Sequence, residues 1–281
     1  MRSFLFAAGL FLAAAQLFSG ERGWNSLELA NTYHQHSDIQ RKWAMELIGP
    51  FSFKGTEHVL DFGCGDGKIT AWISERVPEG SVTGYDVSPS MIQVAQTLYS
   101  SENLQFQTTE IGSEYDLICS FCVLHFVDDP LAILTHLRSH LKSDGLLLLT
   151  IPEAPSPARR SIANGLLQKY GVEQPWINRP SYTHEFSIRT LKGCEMYLEK
   201  AGFEILSIRR ECEPYLFSNA GAYIDWLVGT ASANWGVPFS VSYPMYTEYV
   251  EKLLESEPEI LDHLGRLSEE TARIHIIARP K

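Results

Sequence analysis

Between residues 31 and 151, apolar positions alternate between helical spacing and short continuous runs. From Asn31 to Ile48 they recur at helical intervals, with Ile39, Trp43, Leu47 and Ile48 on one face. A loop containing Pro50 and Gly55 leads into His58 to Phe62, a short β-prone run. The pattern then predicts a helix from Lys68, stopped before Pro78 and Gly80, and a strand over Ser81 to Tyr85. A helix over Pro89 to Tyr99 follows, with Pro89 tolerated in its first turn. Strands are predicted at Leu104 to Thr108, Tyr115 to Cys119 and, after an Asp144-Gly145 turn, Leu146 to Ile151; a helix over Leu131 to Leu141 lies between the last two. Strands alternating with helices require crossover connections, hence a mostly parallel sheet covered on both faces. Ligands of such sheets sit outside the carboxyl ends of the strands, so the loops after Phe62, Tyr85, Thr108 and Cys119 are expected around one mouth.

Beyond Pro152 the pattern loosens. Prolines 152, 155, 157, 175 and 180 punctuate a loop-rich stretch with a short helix at Ser161 to Tyr170. A helix over Thr190 to Ala201, a strand at Phe203 to Arg209, a largely helical Tyr215 to Leu264 and a final strand at Thr271 to Ala278 complete the chain. The two stretches between these elements are expected to form a lid over the mouth. Its aromatic candidates are Tyr215, Tyr223, Trp226, Trp235 and Tyr243, for which helical core packing is the alternative.

Composition narrows the function classes. A chain of 281 residues with 44% hydrophobic and 20% charged positions is a folded protein rather than a disordered one. Its formal net charge of -11, with no Lys/Arg block, disfavours nucleic acid as a partner. Arg2 and the apolar run Phe4 to Phe18 resemble an export signal or a marginal anchor, short of the roughly 20 residues a membrane span needs. Cys64, Cys119, Cys122, Cys194 and Cys212 are odd in number. Cys119 and Cys122 have half-site spacing, but no second pair follows, so ordinary core thiols and no metal are expected.

The strongest local signal is Val59-Leu60-Asp61-Phe62-Gly63-Cys64-Gly65-Asp66-Gly67, a strand feeding a glycine turn and then a helix. Such turns often cradle pyrophosphate on their backbone N–H groups. Here Asp61 precedes the turn and Asp66 lies inside it. Two carboxylates repel phosphate and suit a ligand carrying a sulfonium and an ammonium. Asp86, 23 residues beyond Gly63, ends the next strand near the roughly 20-residue interval at which an acid accepts ribose hydroxyls. Its other reading is a helix cap, for which Ser88 is the better candidate.

These pieces together resemble the class I S-adenosylmethionine-dependent methyltransferases over residues 55 to 151. Leu60 to Gly67 is similar to that superfamily's first motif, and Gly84-Tyr85-Asp86-Val87-Ser88-Pro89-Ser90-Met91 to its acidic second motif. Tyr115 to Ser120 with Leu124-His125 resembles the fourth, and Leu141 to Gly145 the turn before the fifth strand. The resemblance implies an α/β, Rossmann-like doubly wound sheet of about seven strands, mostly parallel with an antiparallel last strand, plus helical lid insertions. It implies S-adenosylmethionine as cofactor, with Gly63 and Gly65 beneath the methionine portion, Asp86 on the ribose and Glu110-Ile111 beside the adenine. Asp61, Cys64, Val87, Met91 and Ser120 join that expected shell by their motif positions. Glu110 stands where Asp is usual, and the connection from Ile111 to Tyr115 is short.

Tyr33 to Ala44, taken with Ser120 to Val127, is similar to a branch containing trans-aconitate, malonyl-carrier-protein and juvenile-hormone-acid carboxyl methyltransferases. The likeness implies that Tyr33 closes over the cofactor and that Gln40 helps hold an acceptor carboxylate. Phe126 replaces the branch's usual tryptophan, which removes an N–H donor. A carboxylate acceptor is already ionised near neutral pH and needs no base, whereas an ammonium or phenol does. His125 is therefore open to three readings: general base, pocket wall or structural residue. Arg159, Arg160 and Arg179 are candidates to neutralise an anionic acceptor, with solvated surface charge as the plainer reading.

The expected layout is a signal-like or anchor segment at 1–20, cofactor-covering helices at 21–54, a cofactor-binding core at 55–151 and a lid-bearing completion of the sheet at 152–281. The expected partner is a small-molecule acceptor, either a carboxylate or another group such as a quinone-like ring or an amine. A donor-binding protein without activity is the contrasting class. Because the donor is made inside cells, a cytoplasmic or cytosolic-side location is expected, with membrane contact through residues 4–18 or export as alternatives.

Overall fold

The computed structural model describes residues 24–109, 112, 114–172 and 185–281; residues 1–20, Glu110, Ile111 and Arg179 lie outside them. Two helices open the described chain, α1 (Leu27–His36) and α2 (Asp38–Ile48). Then follow β1 (His58–Phe62), α3 (Lys68–Ser74), β2 (Ser81–Tyr85), α4 (Pro89–Leu98), β3 (Leu104–Gln107), β4 (Tyr115–Phe121), α5 (Pro130–His140) and β5 (Leu141–Pro152). The second half adds α6 (Pro157–Lys169), α7 (Leu191–Lys200), β6 (Phe203–Phe217), α8 (Ala220–Trp235), α9 (Phe239–Ser256) and β7 (Leu267–Pro280). Among the described residues no helix is long and apolar enough to cross a membrane.

The strands form one sheet in the order β3-β2-β1-β4-β5-β7-β6. Pairs from β3 through β5 are parallel, and β7 lies antiparallel to both β5 and β6. Successive residues point to opposite faces. Val59, Leu117 and Leu148 meet Ala44, Leu47 and Ile48 of α2 and Ile73 of α3. Leu60, Ile118 and Leu147 meet Ile133, Leu134 and Leu137 of α5 and Leu198 of α7. Burial on both faces explains the near-continuous apolar runs Leu117 to Cys119 in β4 and Leu146 to Ile151 in β5, each fully buried Leu or Ile contributing about 1.5–3 kcal/mol. A third cluster holds Ala163 and Leu166 of α6, Tyr223 and Leu227 of α8 and Met245 and Tyr246 of α9 against Ile39 and Trp43.

Three departures from the expected elements have physical causes. The single helix predicted over 31–48 divides at Ser37: Lys68 Nζ takes the His34 carbonyl (2.8 Å), which an unbroken helix would offer to Asp38 N–H, and also the Ser37 hydroxyl (2.8 Å). The Asp144-Gly145 turn becomes an irregularity inside β5, whose register against β4 jumps between Tyr115↔Leu141 and Leu117↔Leu146. β6 runs to Phe217 rather than Arg209, because its charged half pairs continuously with β7. There Arg273, 1% exposed, is held by Glu46 (2.5 Å) and Glu213 (2.9 Å).

The order of strands reverses between β1 and β4, which opens a crevice beyond Phe62 and Phe121. The glycine turn, Asp86 and the Cys122–Phe126 segment all emerge there.

Candidate functional site

A cavity of about 620 Å³ runs from the glycine turn to the helices α8 and α9. The turn is shaped by its own backbone. Gly63 and Cys64 N–H both donate to the Tyr85 carbonyl (2.7 and 2.9 Å), and Gly67 N–H donates to Cys64 O (3.0 Å). Gly63 has φ +79°, and a Cβ there would lie 2.2 Å from Val123 Cγ2, so only glycine lets the turn rest on the β4 loop.

Asp86 fastens the turn to the next strand. Its carboxylate accepts Gly65 N–H through Oδ2 and Ser88 N–H through Oδ1, each at 2.9 Å. Ser88 Oγ caps α4 by accepting Met91 N–H (3.2 Å), which leaves Asp86 facing the cavity. Each Asp86 oxygen retains lone-pair capacity for a ligand hydroxyl. Burial pushes its pKa up to about 6, against the two backbone N–H groups that lower it. Asp61 sits under the turn, accepting the Thr70 hydroxyl (2.6 Å), and burial raises it to about 7, with Asp86 and Asp66 adding repulsion. Asp66 is bound by His34 Nδ1 (2.7 Å) and Lys68 Nζ (3.2 Å), which tie α1 to the turn.

The structure brings Tyr33, Gln40, Gly63, Gly65, Asp86, Val87, Met91 and His125 onto the cavity wall. Tyr33 Cε1 lies 3.5 Å from where a Cβ of Gly65 would stand. Three expected shell residues, Asp61, Cys64 and Ser120, fall elsewhere, Asp61 lying buried under the turn against Thr70. Cys64 packs its thiol with Ile92, Ala95 and Phe106, and both its N–H and its carbonyl are engaged inside the turn. Ser120 is buried within β4, off the cavity wall, its strand ending two residues later than expected. Arg159 is also reassigned. It is 12% exposed and locked between Glu257 (2.7 Å) and Glu269 (2.5 Å), which neutralise it without a ligand. Tyr223, Trp226 and Trp235 of the expected lid line the cavity, whereas Tyr243 faces solvent.

His125 is buried in a short turn after β4, its ring 4.0 Å from that of Phe126, with no partner for Nδ1 among the described residues. Burial, with the charge of Arg189 adding to it, pushes its pKa well below the ordinary histidine value. Arg189, buried and on the cavity wall, was not among the sequence candidates, and neither was Trp24. Trp24 meets the rings of Tyr33 (5.5 Å) and Phe126 (6.0 Å) edge-on, and its carbonyl accepts the Ser88 hydroxyl (2.7 Å).

The donor set suits S-adenosylmethionine: a ribose-accepting carboxylate, a glycine bend among acids and an aromatic wall. Among the described residues no lining group is a lysine. Comparison with known proteins agrees. The methyltransferase-domain family profile matches residues 34–208. A trans-aconitate 2-methyltransferase from Enterobacter sp. is 26% identical over 91% of this chain and 98% of its own length. A malonyl-[acyl-carrier protein] O-methyltransferase from Bacillus anthracis is 29% identical over 43% of this chain and 48% of its own. In fold, a Bacillus halodurans structure described as a putative methyltransferase covers 85% of this chain and 99% of its own, with a TM-score of 0.56 at 17% identity. The chain belongs to the methyltransferase-domain family, as a class I S-adenosylmethionine-dependent methyltransferase related to the trans-aconitate and malonyl-carrier-protein enzymes.

Proposed function

We propose that the enzyme methylates a carboxylate of a small-molecule acceptor. The observation that carries this reading is Arg189, a buried guanidinium on the cavity wall close enough to His125 to depress its pKa. The bound donor supplies a methyl group on a positively charged sulfur. Asp86 is suited to hold the ribose hydroxyls, while Tyr33, Val87 and Met91 form the walls around them. Arg189 is suited to hold the acceptor anion, and Gln40, which accepts a long hydrogen bond from Trp226 Nε1 (3.5 Å), stands on the same cavity wall. A carboxylate is ionised at neutral pH and attacks without losing a proton, so the remaining task is alignment and exclusion of water. His125, held neutral, is a wall of that site and a poor base for an ammonium, whose proton is bound several pKa units more tightly. The relatives support this reading by name, since trans-aconitate is a carboxylic acid.

A second reading, an amine acceptor, is favoured by the excess of carboxylates over guanidiniums along the cavity. Labelled donor with matched acids and amines separates the two. Transfer to acids as base-labile methyl esters supports the carboxylate reading, and transfer to amines alone overturns it. Arg189→Gln should lower kcat/KM for the acid by roughly 10²-fold, the loss of a charge-assisted hydrogen-bond pair, with donor affinity unchanged. An unchanged kcat/KM would remove Arg189 from the acceptor site.

A further inference from the structure

Gln40 stands where two parts of the site meet. It lines the large cavity and also a small recess beside the glycine turn, shared with Tyr33, Asp61, Gly63 and Asp66. It projects from the first turn of α2, whose position is fixed by the burial of Ile39 and Trp43. Among the described residues its side chain makes one hydrogen bond, to Trp226 of α8, whose Nε1–H donates to Gln40 Oε1 (3.5 Å).

That bond decides which way the amide faces. An indole N–H is a donor and never an acceptor, whereas an amide offers one carbonyl and two N–H groups. The carbonyl alone can satisfy the indole, and a flipped amide would set donor against donor. With its carbonyl turned to Trp226, the amide leaves both N–H groups, which no described residue accepts, to the cavity. The indole is itself held in place. It stacks on Tyr223 (5.8 Å between ring centres, 15° between planes) and meets Phe217 (5.7 Å, 49°), while the Tyr223 hydroxyl is fastened to Glu269 (3.1 Å). One turn further along α8, the Thr230 hydroxyl donates to the Trp226 carbonyl (2.7 Å). A donor fixed in this way orders Gln40 before any acceptor arrives, which lowers the cost of ordering it on binding.

We propose that Trp226 is a positioning residue for methyl transfer: it holds the Gln40 amide with both N–H groups toward the acceptor, so that an oxygen rather than an ammonium is favoured there. This rests on the carboxylate reading above. An acceptor carboxylate takes charge-assisted hydrogen bonds from the amide. A protonated amine has only donors to offer and meets donors. Trp226 thereby selects the acceptor through Gln40.

The test uses the full chain with labelled donor and the matched acids and amines described above. Trp226→Phe keeps a ring and removes the N–H; it should lower kcat/KM for the acid roughly fivefold, through KM, with kcat and calorimetric donor affinity kept. The preference for acid over amine should narrow in the same variant, because a released amide can turn its carbonyl to the cavity. Gln40→Leu should lower kcat/KM for the acid roughly 10- to 100-fold, and adding Trp226→Phe to it should change nothing further. With no acceptor present, the Trp226 indole N–H resonance, identified by its disappearance in Trp226→Phe, should shift in Gln40→Leu. Effects of the two substitutions that multiply, or an indole resonance that stays in place, overturn the proposal and leave the carboxylate reading standing. Failure to turn over any acid overturns both.

Discussion

At the scale of single residues, Asp86 links the local backbone to the chemistry. It is held by Gly65 and Ser88 N–H groups yet buried enough for its pKa to rise to about 6, while Asp61 beneath it rises to about 7. Both shifts are upward, so the ligand-free site takes up protons as pH falls from about 7 to 6. A ligand carrying positive charge and ribose hydroxyls favours the ionised carboxylates. Donor affinity should therefore be steady above about pH 7.5 and fall as pH drops through 7 and 6, with protons released on binding at pH 6. Calorimetry in buffers of different ionisation enthalpy measures both, and an affinity that rose below pH 6 would contradict the assignment. Asp86 and the glycines were legible in the sequence because strand, turn and acid recur at a fixed spacing. Arg189 and Trp24 were not, because nothing local marks a cavity residue brought in from a distant part of the chain. Cys64 and Ser120 show the reverse: they stand at the expected places in the turn and in β4, but a buried side chain at such a position packs inward.

At the scale of elements, the glycine turn depends on its neighbours as much as on its own sequence. Gly63→Ala would place a methyl 2.2 Å from Val123 Cγ2 at a φ of +79°. Left-handed strain and overpacking each cost about 1–3 kcal/mol, so denaturant unfolding should show a loss of about 2–6 kcal/mol, and donor binding should weaken with it. A variant as stable as the parent would mean that β1 and the β4 loop are not in contact as described. Most core strands were legible because burial on both faces gives them apolar runs. The division of the first helix at Ser37 was not, since its cause is Lys68, an ammonium from α3 that takes a helix carbonyl. The second half of β6 was hidden for a similar reason: Arg210, Glu211 and Glu213 show no apolar alternation, and their strand geometry comes from pairing with β7.

At the scale of the whole molecule, the alternating pattern determines a sheet with a reversal of strand order, and that reversal locates the crevice. The lid is legible only as aromatic composition. Which aromatics face the cavity is settled by how α8 and α9 pack on α1, α2 and α6, so Tyr223, Trp226 and Trp235 line it while Tyr243 does not. The central claim is that this crevice takes a cationic sulfur ligand rather than a phosphate-bearing one. Calorimetric titration of the intact protein with S-adenosylmethionine, S-adenosylhomocysteine and a dinucleotide tests it most directly. One saturable equivalent of donor and of product is expected, weakened roughly 10²-fold or more in Asp86→Ala through loss of hydrogen bonds to a charged acceptor, with the dinucleotide unable to compete. Absence of binding by donor and product, with the dinucleotide filling the same crevice, would contradict it.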